Sequence, residues 1–265
     1  MDPARFEEEE RVRTSVHAML GVPADSDASD DLLLDRGEYV LSYHPKRNVA
    51  NWVSFRLTKE DLGAMDRSDD FRADDLLPAA LYHVTPSDYL HSGFDRGHLC
   101  PSGDRTRTHE ENSRTFLMTN MHPQRPEMNR VTWKNAEEYE RKLIAEGAAE
   151  LFIVVGGIFS STDSASEKMN EKIAVPSAGY RIVVATPHAK TASDVRKEAG
   201  VIATIIPNTA DVKEHPWLDY VTTVDEIERV SGYDFLARIP DEVEEILEKK
   251  RAIIEMTKPA RRSRR

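Results

Sequence analysis

The sequence predicts an α+β domain, a central mostly antiparallel sheet with flanking helices, and three observations carry that expectation. Residues 39–44 and 52–57 both alternate and are rich in strand formers, with Pro45-Lys46-Arg47-Asn48 as the turn between them, so they read as a hairpin. From Asn129 the pattern becomes helical, with Trp133, Ala136, Tyr139, Leu143 and Ile144 at helical spacing and Gly147 as the stop. Between these lie two short strand-like stretches, residues 94–99 and 116–119, expected to pair. Strand, strand and helix then follow one another as a ββα unit.

The remaining elements follow in chain order. Residues 1–36 hold Glu7 to Glu10 and a run of Asp and Ser over 25–31. They read as an acidic extension, with a short helix over 7–20 and a mobile linker after it. No basic segment precedes an apolar one there, so this is not a signal peptide as written. Thr58 caps a helical turn over 59–62, and 64–78 reads as an irregular acidic loop. Thr108 with Glu111 forms a capping box. Residues 151–159, 181–185 and 201–206 read as strands, the last suited to burial on both faces. Gly156-Gly157 is expected at a strand end with close backbone packing. Acidic residues three positions after Thr223 and after Asp241 predict two short helices. Residues 257–265, ending Arg261-Arg262-Ser263-Arg264-Arg265, read as a disordered basic tail.

At 265 residues, 39% hydrophobic and 31% charged, the chain can bury a sizeable core. No linker divides it, so residues 37–256 are taken as one domain. No run approaches the ~18 apolar residues of a membrane span, and no membrane partner is expected. The lone Cys100 allows no internal disulfide and leaves the compartment open.

The chemistry concentrates in Phe94-Asp95-Arg96-Gly97-His98-Leu99 and in two segments after it, 119–124 and 127–133. A neutral imidazole can take a proton from water at physiological pH. Arg96 shares a strand face with His98 and offers a donor fork suited to phosphate. Gly97 would let a ligand come near the backbone. The Asn129 carboxamide is a neutral oxygen ligand of the kind Mg²⁺ accepts alongside retained waters. A base, a fixed cation and a sparsely held Mg²⁺ point to phosphodiester hydrolysis. Taken singly, each has an ordinary alternative: a core histidine, an ion-paired arginine, an N-cap asparagine. Glu137 shares a helix face with Asn129 but lies about 12 Å further along the axis. It is therefore placed behind the ion, orienting water, with a solvent-exposed glutamate as the alternative.

The Asp95-Arg96-Gly97-His98 signature, Asn120 with Pro123-Gln124, and Asn129 followed by Trp133 and Glu137 resemble the DNA/RNA non-specific endonucleases. These are the Serratia-type and endonuclease G-like enzymes with a ββα-metal site. Residues 39–55 resemble the opening hairpin of that family and 223–228 its closing segment, so the likeness covers roughly residues 37 to 250. Cys100 stands where the family often has small residues, and Phe116 where it is often polar. The resemblance implies a ββα-metal (His-Me finger) nuclease fold and a metal-dependent endonuclease of both DNA and RNA. It implies His98 as general base, Mg²⁺ through Asn129 with Mn²⁺ as substitute, and Asn120, Gln124 and Arg96 at the substrate. A second phosphate-contacting arginine is implied in the 64–78 loop, with Arg67 and Arg72 both open; an arginine neutralising Asp66, Asp69 and Asp70 is the alternative. A homodimer and a protein inhibitor are partners that the resemblance admits. It also favours a secreted or otherwise segregated location, which the sequence itself leaves unknown.

Net charge argues the other way. At −11, the chain lacks the basic footprint of a tight nucleic-acid binder. Residues 91–143, however, hold nine Lys or Arg against eight Asp or Glu, so the acid lies elsewhere. Two other classes remain at this level: a zinc module using His91, His98 and Cys100, whose spacing is far from the usual paired one, and a silent nuclease-like domain that binds nucleic acid or a partner.

Overall fold

A computed structural model describes residues 3–148, 150–159, 167–186 and 189–252. The 39–57 hairpin forms as expected, from β2 (Val40–His44) and β3 (Val49–Thr58). Its turn ends on Asn48, which takes a φ of 57°, a left-handed angle that asparagine tolerates better than most residues. The strands expected in the second half form as β6 (Glu150–Ile158), shifted by one residue, and as β9 (Ala178–Ala185) and β10 (Gly200–Pro207), both longer than the sequence suggested. With β1 (Leu32–Asp35) and β11 (Val221–Thr222) they form a seven-stranded sheet of order β1-β2-β3-β6-β9-β10-β11, every ladder antiparallel, while β7 (Lys168–Met169) and β8 (Ile173–Ala174) pair apart from it. Gly156 and Gly157 fall near the end of β6, as expected, with Gly156 opposite Trp52 and Tyr180. A Cβ there would meet the Tyr180 ring and the Asn51 carbonyl, so close packing is the reason for the glycine.

Alternation along the central strands supplies two cores. Val40, Trp52, Phe152, Tyr180 and Ile182 pack with Val224 and Ile227 of α4 (Val224–Ser231) on one face. Leu41, Val53, Phe55, Ile153 and Val155 pack with Met128, Trp133 and Ile144 on the other. Strands covered on both faces explain why several read as near-continuous apolar runs. β10 is less buried than its sequence suggested, since Ile202 and Ile205 are only partly covered.

The N-terminal arm corrects the expectation of a solvated extension. α1 (Pro3–Thr14) is followed by a 3-10 turn and by β1, the edge strand of the sheet. Val12, Ala18, Leu20 and Leu33 are buried in the core. Its acids are engaged rather than free: Glu8 accepts from the Asp35 N–H at 2.8 Å and from Arg36, while Asp31 accepts from Asn51 and Tyr233. Composition alone could not show that these carboxylates have partners far along the chain. The expected basic tail lies outside the described residues.

The ββα unit is built differently from its prediction. β4 (Asp95–His98) pairs with β5 (Met121–Gln124), not with 116–119. Pro123, opposite Arg96, lowers the strand signal of that segment because proline cannot donate to a ladder. Phe116 and Met118 instead bracket Arg72 in an isolated parallel bridge. The helix also departs from regularity: Met128–Trp133 is wound as a π-helix, which runs directly into α3 (Lys134–Ala145). Among the other expected caps, Thr58 donates its N–H and hydroxyl to the Asp61 carboxylate, Thr108 accepts from the Glu111 N–H, and Thr223 from the Glu226 N–H. They open a 3-10 turn, α2 (His109–Arg114) and α4. The last expected helix, α5 (Asp241–Glu248), begins after Pro240.

Candidate active site

β4 carries Arg96 and His98 on the same side of the strand, and both meet one aromatic ring. The Arg96 guanidinium lies 4.0 Å from the Phe71 centroid, and the His98 ring lies 5.5 Å from it. Phe116 packs edge-on against both Phe71 and His98, at 4.9 Å in each case. Arg67 closes the group, 4.7 Å over Phe116, with Nη1 donating to Ser102 Oγ at 2.8 Å. An open cleft of about 250 Å³ lies above them, lined among others by Arg67, Phe71, Asp95, Arg96 and Asn129. Larger hollows of about 430 and 760 Å³ occur elsewhere, but none of these residues reaches them.

The electrostatics follow from that packing. Burial, and then the positive charges of Arg67 and Arg96, push the His98 imidazole down to about 3. It is therefore neutral at physiological pH, the form able to accept a proton. Its Nε2 is buried without a hydrogen-bond partner among the described residues. Of the two loop arginines, Arg67 is the one at the cleft. Arg72 is occupied by Asp70 and the Ser113 carbonyl.

Asn129 reaches the same cleft from the π-wound turn. Its Nδ2 donates to Asp95 Oδ2 at 2.9 Å, and Arg130 donates to the same carboxylate through two nitrogens at 2.8 and 2.7 Å. Burial opposes ionisation of Asp95, but the bonds from Arg130 and Asn129 outweigh it and hold the carboxyl below its ordinary range. With Nδ2 donating to Asp95, the Asn129 carboxamide presents its oxygen, Oδ1, as the atom that could ligate a cation. A single neutral oxygen beside an ionised aspartate fits a hard divalent cation that keeps most of its waters. Glu137 does not line the cleft; its carboxylate lies 3.9 Å from Arg181 Nη1. Burial, against the pull of Arg181, pushes it up to about 8.

Three expectations are corrected here. Asn120 is fully buried, accepting from the Cys100 N–H and donating to the Cys100 and Thr115 carbonyls, so it braces the loop instead of touching substrate. Gln124 is buried too, and its amide fills the space beside Gly97, where a Cβ would collide with it. The glycine therefore admits a neighbouring side chain, not a ligand. His91, His98 and Cys100 do not gather into a zinc site: among the described residues, the groups close enough to share an ion are acidic clusters at 25–31 and around Glu248. Sequence reasoning gave no role to Asp95, though its motif was noted, and missed Phe71, for which no periodic or spacing signal existed.

The DNA/RNA non-specific endonuclease family model matches residues 19–242. A nuclease of Nostoc sp. is 40% identical over 241 residues, covering 89% of this chain and 86% of that protein. Human mitochondrial Endonuclease G is 32% identical over 221 residues, covering 78% of this chain and 70% of that protein. The solved EndoG/EndoGI complex matches in fold with a TM-score of 0.70 at 24% identity, covering 91% of this chain and 94% of the other. On the extent of the family match and the identity to these relatives, the chain belongs to the DNA/RNA non-specific endonuclease family.

Proposed function

We propose that this chain is a metal-dependent, sugar-non-specific endonuclease that hydrolyses DNA and RNA to 5′-phosphate and 3′-hydroxyl ends. The observation that carries the reading is a neutral, buried imidazole under the charge of two guanidiniums that line one cleft, with an oriented carboxamide lining the same cleft. Arg96 and Arg67 hold the phosphate oxygens and offset their charge. The bound anion also counters the two cations that depress His98, so the imidazole becomes a stronger base when substrate is in place. His98 takes a proton from water as the water oxygen bonds to phosphorus and the bond from phosphorus to the 3′-oxygen breaks, the departing oxygen taking its proton from solvent at the open cleft. Mg²⁺ bound through Asn129 Oδ1, with Mn²⁺ as substitute, would supply positive charge for the phosphate and the departing oxygen. Asp95 keeps Asn129 in the orientation this requires, while Glu137, which sits against Arg181 and does not line the cleft, is given no role at the ion. No step uses a 2′-hydroxyl, and phosphate contacts carry little base information, so both sugars should serve.

The test is incubation of plasmid DNA and of RNA with the pure protein, with and without EDTA, followed by end analysis of labelled oligonucleotides. Loss of both polymers that depends on metal, leaving 5′-phosphates, is expected. Cyclic 2′,3′-phosphates or cleavage of RNA alone would overturn the mechanism. Binding without cleavage would identify a silent nuclease-like domain.

A further inference from the structure

The cleft combines two kinds of lining. Arg67, Arg96 and Asn129 supply its polar lining, and Leu90 and Phe94 supply apolar lining to the same cleft. Leu90 is 65% exposed where it lines the cleft, so its apolar face is open to a ligand there. The turn that presents it is well tied. The Leu90 N–H donates to the Ser87 carbonyl at 3.1 Å, and Ser92 Oγ donates to the Tyr89 carbonyl at 2.8 Å while accepting from the Phe94 N–H at 3.1 Å. The next residue, His91, is held at a φ of 59°, and strain of that kind tends to gather at binding sites. Phe94 carries the Arg125 guanidinium 5.3 Å from its ring centroid. Arg125 is itself rooted, since its N–H donates to the buried Asn208 Oδ1 at 2.7 Å. An apolar shelf with a cationic rim, in one cleft with phosphate-binding groups, matches the two halves of a nucleotide. Its base offers a flat apolar face and its backbone the charge.

We propose that Leu90 and Phe94 form a stacking shelf, rimmed by Arg125, for an unpaired nucleobase next to the scissile phosphate; the phosphate-binding part of this subsite rests on the reaction proposed above. A base inside a duplex has both faces covered by its neighbours, so only an unpaired one can lie on the shelf. Single strands and gapped or frayed sites are therefore bound in preference to continuous duplex.

Binding is measured by fluorescence anisotropy with labelled oligonucleotides, using the His98→Ala protein and, as a second uncleaving preparation, the wild type in EDTA. The probes are a single strand, the same strand as duplex, and a fully abasic oligomer with the same number of phosphates. The expected result is about tenfold weaker binding of the abasic oligomer, the scale of one lost base stack. Leu90→Ser should weaken the natural strand by a similar factor, and the two proteins should bind the abasic oligomer equally. Equal affinity for natural and abasic strands, or an undiminished abasic penalty in Leu90→Ser, would overturn the shelf. Plasmid cleavage is scored separately. Base-dependent binding without cleavage overturns the proposed reaction and leaves the shelf standing, while cleavage with base-independent binding overturns the shelf alone.

Discussion

His98 owes its neutral form to what surrounds it. With burial and two arginines pushing the free imidazole to about 3, the acid limb of kcat/KM, which reports the free enzyme, should lie below the ordinary histidine value of about 6.5. Substrate phosphate offsets the arginines, so the acid limb of kcat should sit at higher pH than that of kcat/KM. A pH–rate profile with the two limbs in reverse order would rule out this electrostatic account. His98→Ala should lower kcat by roughly 10²–10⁴-fold with an unchanged circular dichroism spectrum. Asp95 acts at one remove, through the Asn129 amide it holds at 2.9 Å. Asp95→Ala should raise the Mg²⁺ concentration for half-activation by about 10–100-fold, with a smaller change in oligonucleotide affinity; an unchanged Mg²⁺ titration would detach Asp95 from the metal side of the cleft.

At the level of elements, the loop between β4 and β5 depends on Asn120. One side chain makes three buried hydrogen bonds, two to Cys100 and one to the Thr115 carbonyl. Asn120→Ala leaves those backbone groups without partners, each costing on the order of 1–3 kcal/mol. The midpoint of urea unfolding should fall by the equivalent of several kcal/mol, whereas KM measured well below that midpoint should change little. A raised KM at unchanged stability would return Asn120 to the substrate. Across the sheet, β9 sends Arg181 to Glu140 of α3 through bonds of 2.8 and 2.6 Å, both groups buried. This pair sets how α3 lies on the sheet, and through the continuous helix it positions the turn bearing Asn129.

On the scale of the whole molecule, the −11 charge and the buried histidines set the working conditions. Two guanidiniums and a cation facing phosphate should give a shallow dependence on salt, with a log–log slope near about −2. A much steeper slope would reveal a basic surface beyond the cleft. Acid should destabilise the fold partly through His122, which is buried and pushed down to about 4, with Nε2 donating to the Ala50 carbonyl at 2.8 Å. A depressed folded value makes this contribution full above about pH 6.5, where both states are neutral. It declines as pH falls toward 4, because the unfolded chain takes the proton first. Between pH 7.5 and 4.5 the wild type should lose on the order of 2–3 kcal/mol more than His122→Gln, read by urea unfolding at the two pH values. Equal losses would show that His122 is not the titrating group.

What the sequence determined by itself was whatever local pattern carries. The β2–β3 hairpin, three strands of the second half, the capping threonines and the segment bearing Arg96, His98 and Asn129 were legible, because alternation, helical spacing and turn chemistry act between near neighbours. The tertiary structure alone decided features that join distant parts of the chain. Residues 121–124 are a strand because β4 lies beside them, despite Pro123. The acidic arm folds because Arg36, Asn51 and Tyr233 meet its carboxylates. Arg67, not Arg72, faces the cleft because Asp70 and the Ser113 carbonyl already hold Arg72. His98 is neutral because burial, where it packs against Phe71 and Phe116, and two nearby arginines disfavour its charged form. Burial and long-range pairing are properties of the packed chain, and a motif names its groups without fixing their ionisation, orientation or partners.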